Sequence, residues 1–435
     1  MKVAMISLGC PKNQVSAEQM LHLLREAGHD ITTDLDEAEA VVVNTCAFIE
    51  DARQEAVNTL LECAEFKKTG SLKTIVAAGC LPQLYAGEIL SEMPEVDGVV
   101  GVGSCEDIAE ALERAAAGGR PVLMGDNSAP VSECPRMIST GPAWAYLLIA
   151  EGCDNRCSYC VIPRIRGRFR SRAPEKILAE AEKLASYGYR EIILVAQDLT
   201  RYGKDIPGWD LARLLRELCK IDGIDWIRLH YLYPHELTDE LIDVIAGEPK
   251  IVKYLDIPIQ HINDRILKLM NRRDTGDEIR ALFKKLRGRI PGLVLRTSLI
   301  SGLPGEGEAE FEELCEFLRE ARIERAGVFP FSPEEGTPAA AMEHADAETA
   351  RRRAEKIQEL QAGIMDEWES SLAGRTVSAI CDGYDAETGE PVGRAYFDSP
   401  GIDGAVVFEG DVSPGDIVDI TVISAEDGVL RGRTE

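Results

Sequence analysis

No run of about 18 apolar residues occurs in this chain, so a membrane-spanning helix is not expected. The opening MKVAMISLGC lacks a basic segment followed by a long apolar one, so a secretion leader is not expected either, and the cytoplasm is the expected compartment. Those residues read instead as a buried strand. Basic residues are scarce: 48 Lys and Arg stand against 75 Asp and Glu, a net charge of −27 over 435 residues. A protein that coats nucleic acid needs the opposite balance, to displace counterions from phosphates. A basic protein partner suits this charge better, although a local basic patch stays open.

What the chain has in quantity is cysteine, 12 in all. In a long chain without a leader these are expected as reduced thiols, and clustered ones as metal or cluster ligands. Cys63, Cys105, Cys134, Cys219, Cys315 and Cys381 have no ligand spacing and read as small buried residues.

Apolar segments at 2–8, 40–46, 74–80 and 96–103 read as strands, with helical patterns at 16–27 and 51–66 between them. Alternation of this kind implies a parallel sheet, and strands apolar throughout imply one covered on both faces. The Gly-, Pro- and Ser-rich stretch 118–142 reads as a linker, with a boundary near 135–140. A second series follows, with strands at 145–150, 191–197, 226–232, 254–260, 293–300 and 325–331 and helices at 174–187, 209–220 and 308–322. Six such units fit a partial barrel, not a closed eightfold one. A long charged helix at 346–372 leads to five short strands with turn signals, read as a small antiparallel barrel. Expected domains are therefore 1–135, 139–370 and 371–435. Over 370–435 four arginines face thirteen carboxylates, a net of −9.

Cys153, Cys157 and Cys160 have the spacing C-x3-C-x2-C, directly after the strand 145–150. Three thiolates in one loop can hold three irons of a four-iron cluster and leave the fourth open for exogenous chemistry. Structural zinc would want a fourth ligand, and neither a second C-x2-C pair nor a His lies nearby. The segment CDNRCSYC, with Tyr159 before its last cysteine, resembles the signature of the radical S-adenosylmethionine enzymes. The resemblance implies a partial (βα)6 barrel, a [4Fe-4S] cluster and S-adenosylmethionine on the open iron. It also implies cofactor contacts from Tyr159, from Gln197 and Asp198 at the end of the second barrel strand, and from Gln260 and Arg296. SLISGLPGE (298–306) resembles the family's fifth-strand motif, with Ser298 in place of the usual first glycine.

Cys10, Cys46 and Cys80 each end an expected parallel strand, and ligands bind beyond the carboxyl ends of such strands. The three either converge on a ligand or are merely buried; their recurrence in SLGC, NTC and AAGC favours the site. SLGCPKN, NTCAF and AGCLPQ resemble the amino-terminal domain of the methylthiotransferases, and 371–435 resembles their TRAM domain. The resemblance implies a second [4Fe-4S] cluster on Cys10, Cys46 and Cys80 that carries the sulfur to be transferred. Pro11-Lys12-Asn13 resembles the branch acting on the β-carbon of an aspartate of small-subunit ribosomal protein 12. The branch acting on an adenosine of transfer RNA usually has Gln-Met-Asn there. A basic ribosomal protein, free or on the ribosome, and an electron donor such as a flavodoxin-type protein are the implied partners. The acidic C-terminal region points the same way.

Arg164, Arg166, Arg168, Arg170 and Arg172 leave alternatives open: RNA, a substrate or cofactor carboxylate, or internal ion pairs. His230, Tyr231, His235 and His261 are candidate substrate contacts or packed residues. The rival readings are a transfer-RNA methylthiotransferase, a radical enzyme that only methylates, and a non-catalytic metal-binding adaptor of ribosome assembly.

Overall fold

The computed structural model describes residues 1–434. The chain folds into two compact units. The first comprises residues 1–139, 150–172 and 334–337; the second comprises 140–149, 173–333 and 338 onwards.

The first unit is built on six parallel strands: β1 (Lys2–Ser7), β2 (Asp30–Thr32), β3 (Ala40–Thr45), β4 (Thr74–Gly79), β5 (Gly98–Gly103) and β6 (Val122–Gly125), in the order β2-β1-β3-β4-β5-β6. The central strands β3 and β4 are buried at every residue. Their side chains alternate between two cores, as a period of two requires. Val41, Val43, Ile75 and Ala77 pack under the helices Glu50–Thr69 and Cys80–Glu92, while Val42, Val76 and Ala78 pack with Met20, Leu24, Ile108 and Leu112 on the other face. The strands β2 and β6 did not stand out in the sequence; β6 lies inside the stretch read as a linker. Both are edge strands, short and without buried residues, so they carry no apolar run. The first helix, expected from 16, begins at Pro11 with Cys10 as its N-cap. Proline suits the first helical position, where its missing N–H costs nothing.

The second unit opens with β7 (Trp144–Leu148). The chain then returns to the first unit for the ribbon of β8 (Ala150–Glu151) and β9 (Arg170–Ser171). The strands β10 (Glu191–Val195), β11 (Trp226–Leu229), β12 (Ile251–Asp256), β13 (Val294–Ser301) and β14 (Arg325–Pro330) join β7 in one parallel sheet, in sequential order from β7 to β14. Five of these strands end earlier than the pattern suggested. Pro258 offers no amide to the ladder, so β12 stops at Asp256 and only an isolated bridge from Gln260 to Leu299 follows. Gln197, Tyr231 and Gln260 are thereby left in the loops beyond the strands, where ligand-binding residues of such barrels lie.

A closed five-stranded barrel follows, from β15 (Thr376–Tyr384), β16 (Pro391–Ala395), β17 (Ala405–Glu409), β18 (Ile417–Glu426) and β19 (Val429–Thr434). It departs from the antiparallel barrel expected in one seam, β17 with β19, which is parallel. The small barrel packs against the amino-terminal portions of the parallel strands. Trp226, Val252, Tyr254 and Val294 share one core with Ala379, Phe397, Val406 and Phe408. A layer of buried charge lies alongside. Glu191 accepts from Arg228 (2.7 Å) and Arg394 (2.7 Å), and Arg325 from β14 reaches Asp398 at 2.6 Å. Asp403 accepts from Tyr254 at 2.6 Å, and Ser399 lies 2.9 Å from His230. Among the described residues no helix is long and apolar enough to cross a membrane.

Candidate functional site

Cys10, Cys46 and Cys80 follow β1, β3 and β4, three adjacent strands, so separations of 36 and 34 residues in sequence become neighbours in space. Two glycines with left-handed backbone make room for them. Gly9 has φ +87, and a Cβ there would lie 2.6 Å from the Cys46 Cβ and 3.0 Å from its Sγ. Gly79 has φ +91, and a Cβ there would lie 2.4 Å from the Asn44 Oδ1. Only glycine takes both the backbone and the space without strain.

The three loops are stapled together by side-chain amides. The Asn13 Nδ2 donates to the carbonyls of Leu8 and Thr45, each at 2.9 Å, and Asn44 donates to the Asn13 carbonyl at 2.7 Å. Thr45 donates to the Ala78 carbonyl at 2.6 Å and accepts from the Leu81 amide. The Asn13 Oδ1 is 3.6 Å from the Cys80 Sγ and accepts from Arg166 at 2.5 Å. Arg166 is buried; it also pairs with Glu151 at 2.9 Å and reaches the Cys80 Sγ at 3.8 Å.

The thiols feel one another. Burial first, then Cys80 and Cys10, pushes Cys46 up to about 12. Burial also raises Cys80, against the pull of Arg166. Cys10 moves down: burial opposes its charge, but Lys12, Arg166 and the amides of Asn13 and Lys12 outweigh it. Cys105, read from sequence as an isolated thiol, belongs to this neighbourhood. It follows β5 and is pushed up to about 12, by burial first, with Arg166 opposing and Cys80 adding. Its setting GVGSC, an apolar strand running into Gly and Cys, was the available signal.

Cys153, Cys157 and Cys160 lie in the loop between β8 and β9, and all three are partly exposed. Gly152 (φ +74) opens the loop; a Cβ there would lie 2.0 Å from the Arg168 carbonyl. The Cys153 amide donates to the Gly167 carbonyl at 3.2 Å, and the Cys160 amide to that of Cys157 at 3.0 Å. Arg156, at φ 52, is one of the few non-glycine residues with a left-handed backbone, and Tyr159 is partly buried beside Cys160. Val161 and Ile165, just after the loop, are anchored in the first unit's core.

The arginine run forms no open stripe. Arg164 donates to the Glu335 carbonyl, Arg166 pairs with Glu151, Arg170 donates to the carbonyls of Arg166 and Arg168, and Arg172 pairs with Glu133. Arg164 and Arg168 are the exposed members of the run; Arg168, 3.6 Å from Asp154, has 80% of its side chain exposed.

In the second unit, Gln197 stands two residues past β10. Asp198 caps the next turn, accepting from the Thr200 amide and hydroxyl. Tyr231 (φ 63) and Gln260 (φ 71) hold left-handed backbone at the ends of neighbouring strands, a strain that clusters at functional sites. The Gln260 amide donates to Ser298, and its carbonyl accepts from Ile300. Arg296 is 2.8 Å from Asp256 and 3.7 Å from Asp403, so its charge is already met by two carboxylates. His230 contacts Ser399, and His261 lies 3.4 Å from Glu306; both are buried. His235 is half exposed, 3.8 Å from Asp274.

Soft thiolate donors in threes, set in glycine cradles, fit iron–sulfur clusters better than hard cations. Among the described residues no group of three or more His, Cys, Asp or Glu is arranged around a single metal ion.

Comparison with known proteins agrees with this chemistry. Residues 147–318 match the Radical SAM superfamily, 2–101 the uncharacterized protein family UPF0004, and 373–434 the TRAM domain. Similar relatives include the ribosomal protein uS12 methylthiotransferase RimO of Lachnoclostridium phytofermentans, 46% identical and covering 100% of both chains. The enzyme of the same name from Geobacter sulfurreducens is 47% identical, covering 99% of this chain and 98% of its own. Among solved structures, the radical S-adenosylmethionine methyltransferase TsrM of Kitasatospora setae superposes with a TM-score of 0.58 at 14% identity, over 85% of this chain and 90% of that one. The cobalamin-dependent S-adenosylmethionine radical enzyme OxsB gives a TM-score of 0.51 at 13% identity, over 84% of this chain and 56% of that one. At such identities these two likenesses concern the fold alone.

Proposed function

Because this chain belongs to the RimO family of ribosomal protein uS12 methylthiotransferases, within the radical S-adenosylmethionine enzymes, we propose that it attaches a methylthio group to the β-carbon of an aspartate of uS12, using two four-iron clusters. Cys153, Cys157 and Cys160 would hold one cluster, with S-adenosylmethionine, and Cys10, Cys46 and Cys80 the other. The observation that carries this reading is that one cysteine trio gathers at three neighbouring strand ends and a second trio shares one loop, each beside a glycine whose Cβ would clash. When bound, a reduced cluster with S-adenosylmethionine supplies the radical needed to open an unactivated C–H bond, chemistry that acid–base side chains cannot perform.

The chain's own part is to bind, orient and shield. Each trio would offer three thiolates to a four-iron cluster, which would leave one iron for an outside ligand. Asn13, Asn44 and Thr45 fix the loops of Cys10, Cys46 and Cys80. Tyr159, Gln197 and Gln260 are the residues we assign to the cofactor. Asp198 we assign to holding the turn beside Gln197, and Arg296 to holding the small barrel in place. The acidic C-terminal region suits a basic ribosomal protein and repels phosphates. Electrons would come from a flavodoxin-type donor in the cytoplasm.

Anaerobic reconstitution and iron analysis test the reading. The wild type should bind about eight irons, and either triple Cys→Ala variant about four. Uniformly, uS12 incubated with S-adenosylmethionine, sulfide and reductant should gain one sulfur and one methyl, which the Cys10/Cys46/Cys80 variant should not support. Zinc in place of iron, product bearing methyl alone, or modification of transfer RNA instead would overturn it.

A further inference from the structure

Arg166 and Glu151 form a buried ion pair whose location is unusual. Both flank the loop of Cys153, Cys157 and Cys160: Glu151 ends β8, and Arg166 ends the short helix Ile162–Arg166. Both nevertheless act on the other trio. The Arg166 Nη2 lies 2.5 Å from the Asn13 Oδ1 and 3.8 Å from the Cys80 Sγ, while its Nη1 is 2.9 Å from Glu151. Arg166 is 2% exposed and Glu151 6% exposed, so solvent screens neither charge well. A substrate carboxylate has no route to this guanidinium, which is enclosed and already paired.

Hydrogen bonds to cysteine sulfur, together with local net charge and solvent exposure, set the reduction potential of a thiolate-held cluster. Resting on the assignment of a cluster to Cys10, Cys46 and Cys80, we propose that Arg166 is a positioning residue that raises that cluster's reduction potential, with Glu151 as its opposing charge. A purely structural salt bridge would be complete with Glu151 and Asn13. The third contact, to a ligand sulfur, is the one that couples the pair to the cluster. The same two residues brace the loop of Cys153, Cys157 and Cys160, so one ion pair serves the surroundings of both trios.

Opposite charges give opposite signs, which separates electrostatics from misfolding. The test is an anaerobic redox titration, read by electron paramagnetic resonance, in a Cys153/Cys157/Cys160→Ala background where only one cluster remains. Arg166→Gln should lower the potential by at least tenfold in the reduction equilibrium, about 59 mV for one electron. Glu151→Gln should raise it, the double variant should return toward the parent, and Arg166→Lys should fall between the parent and Arg166→Gln. If the background binds no iron, the two-cluster reading fails, and this inference with it. If it binds iron and Glu151→Gln does not raise the potential, the inference alone is overturned. That arm decides the matter even if Arg166→Gln loses its iron. Shifts of the same sign in both single variants would also overturn it.

Discussion

Replacing Glu191 by Gln tests the buried charge layer between the parallel sheet and the small barrel. Glu191 is fully buried and holds two arginines: Arg228, itself 0% exposed, and Arg394, 4% exposed. Arg394 keeps Asp382 at 2.6 Å as a second partner. Arg228 keeps the Tyr396 carbonyl at 2.8 Å, the face of Tyr254, 5.0 Å away, and a through-space attraction to Asp398, with no second carboxylate in hydrogen-bond contact among the described residues. Neutralising Glu191 therefore strands the Arg228 charge in the interior, and breaking a buried pair in this way costs about 3–5 kcal/mol. For a folded unit of this size 1 kcal/mol moves the melting temperature by about 2–4 °C, so a drop of roughly 6–20 °C is expected. Circular dichroism melts of the full chain at neutral pH, under reducing conditions, read this directly. The loss should persist in 0.5 M salt, on the order of which surface pairs are screened and buried ones are not. The arginines hold Glu191 below the ordinary carboxylate range despite its burial. The wild-type advantage should accordingly be complete above about pH 4.3 and fade as the pH falls through the lower folded value. A Glu191→Gln melt within about 2 °C of wild type would refute the reasoning.

Other outcomes follow from the same coordinates. Gly79→Ala forces an alanine into left-handed backbone and drives its Cβ onto the Asn44 side chain, so the variant should retain only about four irons. Gly118→Ala, also left-handed but facing open space, should bind as much iron as the wild type, and equal iron loss in the two would show that backbone strain alone was responsible. Burial pushes Asp398 up to about 6 against Arg325, with Asp403 adding to the push. Its contribution to stability is complete below about pH 3.9 and is lost as the pH rises through its folded value. Asp398→Asn should remove that slope, worth roughly 3 kcal/mol, and parallel melting curves for the two proteins from pH 4 to 7 would contradict the assignment.

The two cysteine trios stood out in the sequence because each member closes an apolar strand or sits in one short loop, and strand ends can be read from local pattern. The recurrence of Cys10, Cys46 and Cys80 at strand ends favoured their convergence, but the strand order that makes β1, β3 and β4 neighbours was not legible. What links the two trios was also invisible: Arg166 meets Asn13 across 153 positions, and one arginine among five in a run carries no local mark of burial. The C-terminal carboxylates were misjudged in part for a similar reason. Counting charge treats Asp398 and Asp403 as surface groups, whereas the structure withdraws both into ion pairs with the parallel barrel. The strands β2 and β6 escaped notice because edge strands need no apolar run.

That withdrawal bears on inheritance. Arg394, Asp398, Ser399 and Asp403 are keyed to Glu191, Arg325, His230 and Tyr254, residues on three strands of the parallel sheet and just past the end of a fourth. A gene fusion that exchanged the small barrel for the same fold from another protein would present strangers to each of these partners. Recombination that yields a working enzyme should therefore keep the small barrel with its own parallel sheet, so that lock and key descend together.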